Sequence, residues 1–252
     1  MRILLTNDDG IYAPGLKALR RQLRTIGEVT VVAPATEQSG VGHSITLQTP
    51  LVIHEVFEDG ARIGWLVEGS PADCVKLACL ELLERPPDVL ISGLNHGANV
   101  GINVLYSGTV AAAVEGAFFG VRSIAVSMEF SDQPDFDAAA KLALRMIKQI
   151  LEHDPPSGSL FNVNLPDPKL GLPLGVRVVP QGVVRYQEGF ERRTDPRGRT
   201  YFWSKIEYVP HPHDGVTDIL ALADRYVTLT PLRFDLTDRV ELDKMSSWNF
   251  SL

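Results

Sequence analysis

The sequence predicts an α/β fold: a Rossmann-like, mainly parallel sheet with helices on both faces, followed by a β-rich C-terminal extension. Three observations carry this prediction. Short apolar runs alternate with helix-period segments through the first two-thirds of the 252 residues, the pattern of βαβ units feeding a parallel sheet. Several of the loops between them are dense in Gly, Asn, Ser and Asp. Beyond about residue 170, Pro and Gly become frequent and helix signals thin out.

Each element has a local reason. Residues 2–6 are a short apolar run read as the first strand. Residues 14–25 place Leu16, Leu19 and Leu23 on one helical face, with Pro14 near the first turn, where its missing N–H is least costly. Residues 29–33 form a second strand closed by Pro34, and residues 51–56 and 62–67 flank Glu58-Asp59-Gly60 as a hairpin. Ser70-Pro71-Ala72-Asp73 supplies N-cap, N1 and N3 residues for a helix running to about Leu83. Residues 88–92 are a buried strand, and a long Gly/Asn-rich loop follows from Gly93 to Gly108. A helix over 109–119, a strand over 123–128, an amphipathic helix over 136–152 and a strand over 160–165 complete the alternation. In residues 183–208, Arg185, Arg192, Arg193, Arg197 and Arg199 interleave with aromatic residues, interrupted by Asp195. Residues 201–208 read as a strand, so the tract is a hairpin or arm. It fits either a solvated surface or a contact between subunits.

Apolar residues make up 44% and charged residues 22% of the chain, with a net charge of −7. This is a globular composition able to bury a full core, and its charge argues against binding a nucleic-acid polymer. Cys74 and Cys79 lie on different faces of their helix, which argues against a mutual disulfide and for two buried reduced thiols. The N-terminal apolar run breaks at Asn7, unlike a secretory signal, and the stretch from Val110 to Val121 is interrupted by Glu115. A cytoplasmic protein without a membrane span is the expectation.

The most informative segment is Asn7-Asp8-Asp9-Gly10, directly after the first strand. Adjacent carboxylates raise each other's pKa, and a hard divalent cation relieves that repulsion. Alone, the segment also fits a solvated turn. Three oxygen-rich loops accompany it: residues 34–44 with Ser39 and His43, residues 93–101 with Asn95, His96 and Asn99, and Tyr106-Ser107-Gly108-Thr109 before an alanine-rich helix. Hydroxyls beside a helix N-terminus favour phosphate, although a simple N-cap explains the last of these equally well. In a doubly wound sheet the carboxyl ends of the strands share one edge. Asp8, Asp9, Ser39, Asn95 and Ser107 then converge as an acidic metal cradle beside an anion-binding helix start, the design of a phosphate ester hydrolase. His211-Pro212-His213-Asp214 reads as a surface loop rather than a metal pair. Walker A, Gly-x-Ser-x-Gly and dinucleotide-binding glycine patterns are absent.

Taken in order, these loops resemble the SurE family of survival-protein nucleotidases. The resemblance rests on Asn7-Asp8-Asp9-Gly10, Gln38-Ser39-Gly40 with Ser44-Ile45-Thr46, Gly69 to Val75, Ser92 to Gly101, Tyr106 to Val110 leading to Glu115-Gly116, and Asn162-Val163-Asn164-Leu165-Pro166. Ser70 stands where threonine is common and Leu94 where isoleucine is common, departures that leave the chemistry intact. The resemblance implies a divalent-metal-dependent phosphomonoesterase, using Mg²⁺ or Mn²⁺, that hydrolyses nucleoside 5′- and 3′-monophosphates, with polyphosphate as a further substrate of some members. It implies Asp8, Asp9, Ser39 and Asn95 as metal ligands, and Asn99, Ser107, Gly108 and Thr109 as phosphate contacts. It also implies a dimer or tetramer with exchanged C-terminal segments. That favours the arm reading and divides the chain into a catalytic domain over 1–170 and an oligomerising region over 171–252, with its tail from about residue 231.

Two alternatives stand beside this reading. Attack by Asp8 would form an aspartyl-phosphate, but the haloacid-dehalogenase pattern separates its aspartates by one residue, so attack by water is preferred. A metal-binding phospho-signalling or nucleotide-binding module without turnover is the rival class. A receiver domain needs a phosphoaccepting Asp at a later strand end, where this chain has Ser92 and Asn95.

Overall fold

The central strand is β1 (Arg2–Thr6), and its alternating side chains divide the core in two. Ile3 and Leu5 face one cluster and Leu4 faces the other, as the two-residue period of a strand requires. The computed structural model describes residues 1–183, 187–207 and 216–251. Arg185, Tyr208 and His211 to Asp214 lie outside the described residues.

From β1 the chain passes through α1 (Pro14–Leu23), β2 (Glu28–Pro34), the hairpin β3 (Ile53–Glu58) and β4 (Ala61–Val67), and α2 (Pro71–Leu77). Then come β5 (Val89–His96), α3 (Gly108–Phe118), β6 (Arg122–Met128), α4 (Phe136–Glu152) and β7 (Leu160–Leu165). The remainder is β8 (Val176–Val178), β9 (Gln187–Thr194), β10 (Thr200–Glu207), α5 (Asp218–Ala223), β11 (Val227–Leu232) and α6 (Arg239–Met245). Nine strands form one sheet in the order β3-β4-β2-β1-β5-β6-β7-β11-β8. The pairs from β4 to β7 are parallel; β3 against β4 and β11 against β7 are antiparallel.

Helices cover both faces. Leu16, Leu19 and Leu23 of α1 and Ile147 and Ile150 of α4 pack on the Ile3 and Leu5 side. Cys74 and Val75 of α2 and Val110 and Ala113 of α3 pack on the Leu4 side. Burial of each large aliphatic side chain stabilises the fold by roughly 1.5–3 kcal/mol. Small residues let α3 lie close to the sheet: a Cβ on Gly116 would come within 2.7 Å of Leu90 Cδ1.

Strand order reverses at β1, because β2 and β4 extend the sheet to one side and β5, β6 and β7 to the other. Such a switch leaves a crevice beyond the carboxyl ends of β1 and β5. This is where Asp8, Asp9 and Asn95 fall.

Three local differences from the sequence reading have physical causes. The α-helix after Ser70 ends at Leu77 and a π-helical turn carries it on to Leu82. The expected loop after Ser92 remains a strand to His96, with a 3-10 turn at Gly101–Leu105. Between the pairs Ser92 with Ala125 and Asn95 with Ser127, β5 carries one extra residue, a bulge. Gly93 makes this possible: its φ is +142°, and a Cβ there would lie 2.3 Å from the Val126 carbonyl oxygen. Third, Cys74 is buried but Cys79 only partly so; both thiols are free, and burial raises both pKa values, that of Cys79 to about 11. The sheet itself continues past residue 170 through β8 and β11. Among the described residues the β9–β10 hairpin pairs with no other strand, and it exposes Phe190, Phe202 and Trp203.

Candidate active site

The crevice is an open cleft of about 240 Å³, lined by Asp8, Asp9, Ser39, Asn95, Asn99 and Ser107 among others. All four residues expected as metal ligands therefore meet in one place, together with two of the four expected phosphate contacts. Gly108 and Thr109 do not line it.

Thr109 is fully buried behind Asp8, and its hydroxyl donates to Asp8 Oδ1. Gly108 lets the helix approach this closely: a Cβ at that position would lie 2.8 Å from Asp8 Cβ and 3.1 Å from Asp8 Oδ2. Asp8 is only 4% exposed. Burial raises its pKa, the Thr109 hydroxyl opposes that shift and the Glu37 charge adds to it. Burial raises the Asp9 carboxyl to about 7, with further contributions from Asp8 and Glu37, against a backbone hydrogen bond from His96.

The loop after β2 brings Glu37 and Ser39 to the same cleft. It is anchored by the Gln38 N–H, which donates to the Asp8 carbonyl at 2.7 Å. The Ser39 hydroxyl donates to Glu37 Oε1 at 2.6 Å. Glu37 is a site residue the sequence reading did not select, since a single acid in a turn carries no pattern. The Asn95 carboxamide nitrogen donates to the Gly97 carbonyl at 2.7 Å. That leaves its oxygen as the group able to accept or coordinate.

Asn99 is held by two asparagines of β7. Its N–H donates to Asn164 Oδ1 at 2.7 Å, and its carbonyl accepts from Asn162 Nδ2 at 2.7 Å and Asn164 Nδ2 at 3.2 Å. Asn162 and Asn164 share one face of the strand because they are two residues apart. Asn99 Nδ2 donates to the Ser127 hydroxyl at 2.8 Å. Further along the loop, Asp218 accepts from the N–H groups of Gly101, Gly182 and Ile219 at 2.7–2.9 Å, while burial raises its carboxyl. Ser107 Oγ caps α3 by accepting from the Val110 N–H, which leaves its own proton free to donate.

The histidines of these two loops, His43 and His96, are both engaged by other groups, and only His96 lines the cleft among the described residues. His43 does not line the cleft, and its Nε2 lies 2.7 Å from Glu115 Oε2. The His96 ring stacks on Phe130, meets Phe136 edge-on and bonds to the Ser131 backbone.

The charge balance of the cleft is one-sided. Asp8, Asp9 and Glu37 line it, and no Lys or Arg does among the described residues. A phosphate dianion placed there meets only like charge unless a cation accompanies it. Hard oxygens from two carboxylates, a hydroxyl and a carboxamide suit Mg²⁺ or Mn²⁺. Among the described residues no three His, Cys, Asp or Glu side chains are placed to hold a metal ion by themselves, so a cation here draws on the neutral oxygens as well.

Comparison with known proteins identifies relatives over the whole chain. The family model described as "Survival protein SurE" matches residues 3–188. A protein of Rhodopirellula baltica named 5′-nucleotidase SurE is 56% identical over 250 residues, covering 99% of both chains. Another of that name from Desulforudis audaxviator is 46% identical, covering 98% of this chain and 97% of its own. The crystal structure of the SurE protein from Aquifex aeolicus superimposes with a TM-score of 0.85 at 37% identity, covering 98% of each chain.

Proposed function

Since this chain belongs to the survival protein SurE family, we propose that its acidic cleft hydrolyses nucleoside 5′- and 3′-monophosphates with the help of a divalent cation. The chain is a nucleotidase, an enzyme that releases phosphate from nucleoside monophosphates. The cation is Mg²⁺ or Mn²⁺. One observation carries this reading: three carboxylates and, among the described residues, no Lys or Arg line a cleft that must admit a phosphate dianion.

Asp8, Asp9, Ser39 and Asn95 would hold the cation. When bound, it supplies charge neutralisation and Lewis acidity at a phosphoryl oxygen. Thr109 positions Asp8 by its hydrogen bond rather than touching substrate. The Ser107 hydroxyl donates to a nonbridging phosphoryl oxygen, and the first N–H groups of α3, at Gly108 and Thr109, contribute their partial positive charge. Asn99 fixes the opposite wall. Water rather than Asp8 attacks phosphorus, because Asp8 is buried and one of its oxygens is already engaged. A signalling module without turnover is disfavoured by the nucleotidase relatives.

The working protein is a dimer or tetramer in the cytoplasm. Residues 1–170 carry the catalytic groups, and the C-terminal region supplies the contacts between copies. The exposed aromatic residues of the β9–β10 hairpin, and the exposed Val240, Leu242, Met245, Trp248 and Phe250 of the tail, support exchanged segments. No helix of the described residues is long and apolar enough to cross a membrane.

The test is a panel of nucleoside 5′- and 3′-monophosphates and polyphosphate, assayed with Mg²⁺, Mn²⁺ and excess chelator in turn. Turnover of monophosphates that chelator abolishes and metal restores supports the proposal. Undiminished turnover in chelator contradicts it.

A further inference from the structure

Of the four groups expected to hold the cation, Ser39 has the least support from the sheet. It is exposed, and it stands in the loop beyond the end of β2 at Pro34. Its hydroxyl bonds to Glu37, within the same turn. The loop is fastened at Gln38 to the Asp8 carbonyl, and at Ser44, whose carbonyl accepts from Ser70 Oγ at 2.7 Å. Between these points two contacts reach toward α3. The Gly42 N–H donates to the Tyr106 carbonyl at 2.9 Å. The His43 Nε2–H donates to Glu115 Oε2 at 2.7 Å.

Glu115 is a buried charge that the proposed chemistry does not use. It is 6% exposed and lies within the alanine-rich helix α3. Lys76 of α2 stands 3.9 Å from its other oxygen. A carboxylate is costly to bury unless it is paired, and fold stability alone does not call for one, since apolar replacements of buried ion pairs are often neutral or stabilising. Its place in α3 gives it another task. The same helix begins beside Ser107 and sets Thr109 behind Asp8. The contact between His43 and Glu115 therefore joins the loop that carries Ser39 to the helix that carries the phosphate contacts. We propose that His43 is a positioning residue for the cation: bonded to Glu115, it straps the loop to α3 and holds the Ser39 hydroxyl where it can share a cation with Asp8, Asp9 and Asn95. The inference rests on the metal-dependent reading and adds to it a residue outside the cleft.

The test is a calorimetric Mn²⁺ titration of the full chain without nucleotide. It compares wild type, His43→Ala, His43→Gln, Ser39→Ala and the double variant Ser39→Ala/His43→Ala. His43 is exposed and outside the core, so its replacement leaves the packing intact. His43→Ala should weaken Mn²⁺ binding by about tenfold, as removal of groups that orient metal ligands does. His43→Gln, whose amide can donate to Glu115, should recover most of the affinity. Once Ser39 is alanine, removing His43 should cost nothing further, because the strap no longer has a ligand to position. Amide hydrogen exchange in the metal-free protein gives an independent readout: residues 36–46 exchange faster in His43→Ala, and β1 exchanges as in wild type. Wild-type Mn²⁺ affinity in His43→Ala overturns the proposal, and so do losses that simply add in the double variant, or unchanged exchange in the loop. A wild-type chain that binds no Mn²⁺ and turns over nucleotide without it overturns the metal reading itself, a different result from a wild type that binds the cation no more tightly than His43→Ala.

Discussion

Thr109→Val tests whether Asp8 is set in place from behind. Valine keeps the branched shape of threonine and removes only the hydroxyl that donates to Asp8 Oδ1. The site is fully buried, so water cannot replace the lost donor. A hydrogen bond to a charged partner is worth about 1.5–3 kcal/mol. If that energy is lost from the cation-binding state, affinity for Mn²⁺ falls by about 10- to 150-fold. The range agrees with the roughly 10- to 100-fold cost of removing groups that orient metal ligands. The hydroxyl also opposes the upward shift that burial imposes on the Asp8 carboxyl. Its loss therefore moves the acidic limb of the pH–rate profile to higher pH. The assay is a calorimetric Mn²⁺ titration of wild type, Thr109→Val and Thr109→Ser, with pH–rate profiles for each. Serine restores the donor and should recover most of the affinity. If Thr109→Val binds Mn²⁺ as wild type does and loses only phosphate turnover, then Thr109 is a phosphate contact and the reasoning from its position fails.

Three further outcomes follow. Ser107→Ala removes both an N-cap and a phosphate donor: stability should fall by about 1 kcal/mol and turnover by more than tenfold with Mn²⁺ affinity retained, as read by urea melts and kinetics. Asp218→Ala leaves the buried N–H groups of Gly101, Gly182 and Ile219 without their acceptor; a loss of about 3 kcal/mol is expected in urea unfolding, and a variant as stable as wild type would contradict that anchoring. In chelator, stability should fall as pH rises from about 4 to about 7. Asp9 has a higher pKa folded than unfolded, so the native state holds the extra proton in that window and loses the advantage above it. Added Mn²⁺ should remove the decline, and urea midpoints at pH 5 and pH 8 measure both.

Much of the fold was legible because local rules and tertiary packing agree. The helix over 136–152 and the strand over 160–165 match the observed bounds of α4 and β7, since the amphipathic stripe of one and the apolar run of the other are what the core buries. Ser70 and Ser107 cap their helices as their positions implied. The acidic pair was legible because it directly follows the central strand. What stayed hidden depends on distant partners. The bulge at Gly93 is a relation between β5 and β6, and its glycine signals a close approach without saying to what. Asn162 and Asn164 were read as part of a motif, but their grip on Asn99 spans more than 60 residues. Asp218 and Glu37 sit in segments without periodicity. The strands β8 and β11 join the sheet edge after the helix signals fade, in a region read as a β-rich extension without bounds for these two strands.

The account stands on a cation gripped by the paired acids at the sheet switch. Its most direct test is the anomalous difference map of crystals grown with Mn²⁺. The account predicts a single strong peak in contact with both Asp8 and Asp9, with Ser39 and Asn95 completing its protein ligands. A fully occupied peak elsewhere, or none at this site under conditions where the enzyme turns over, would contradict it.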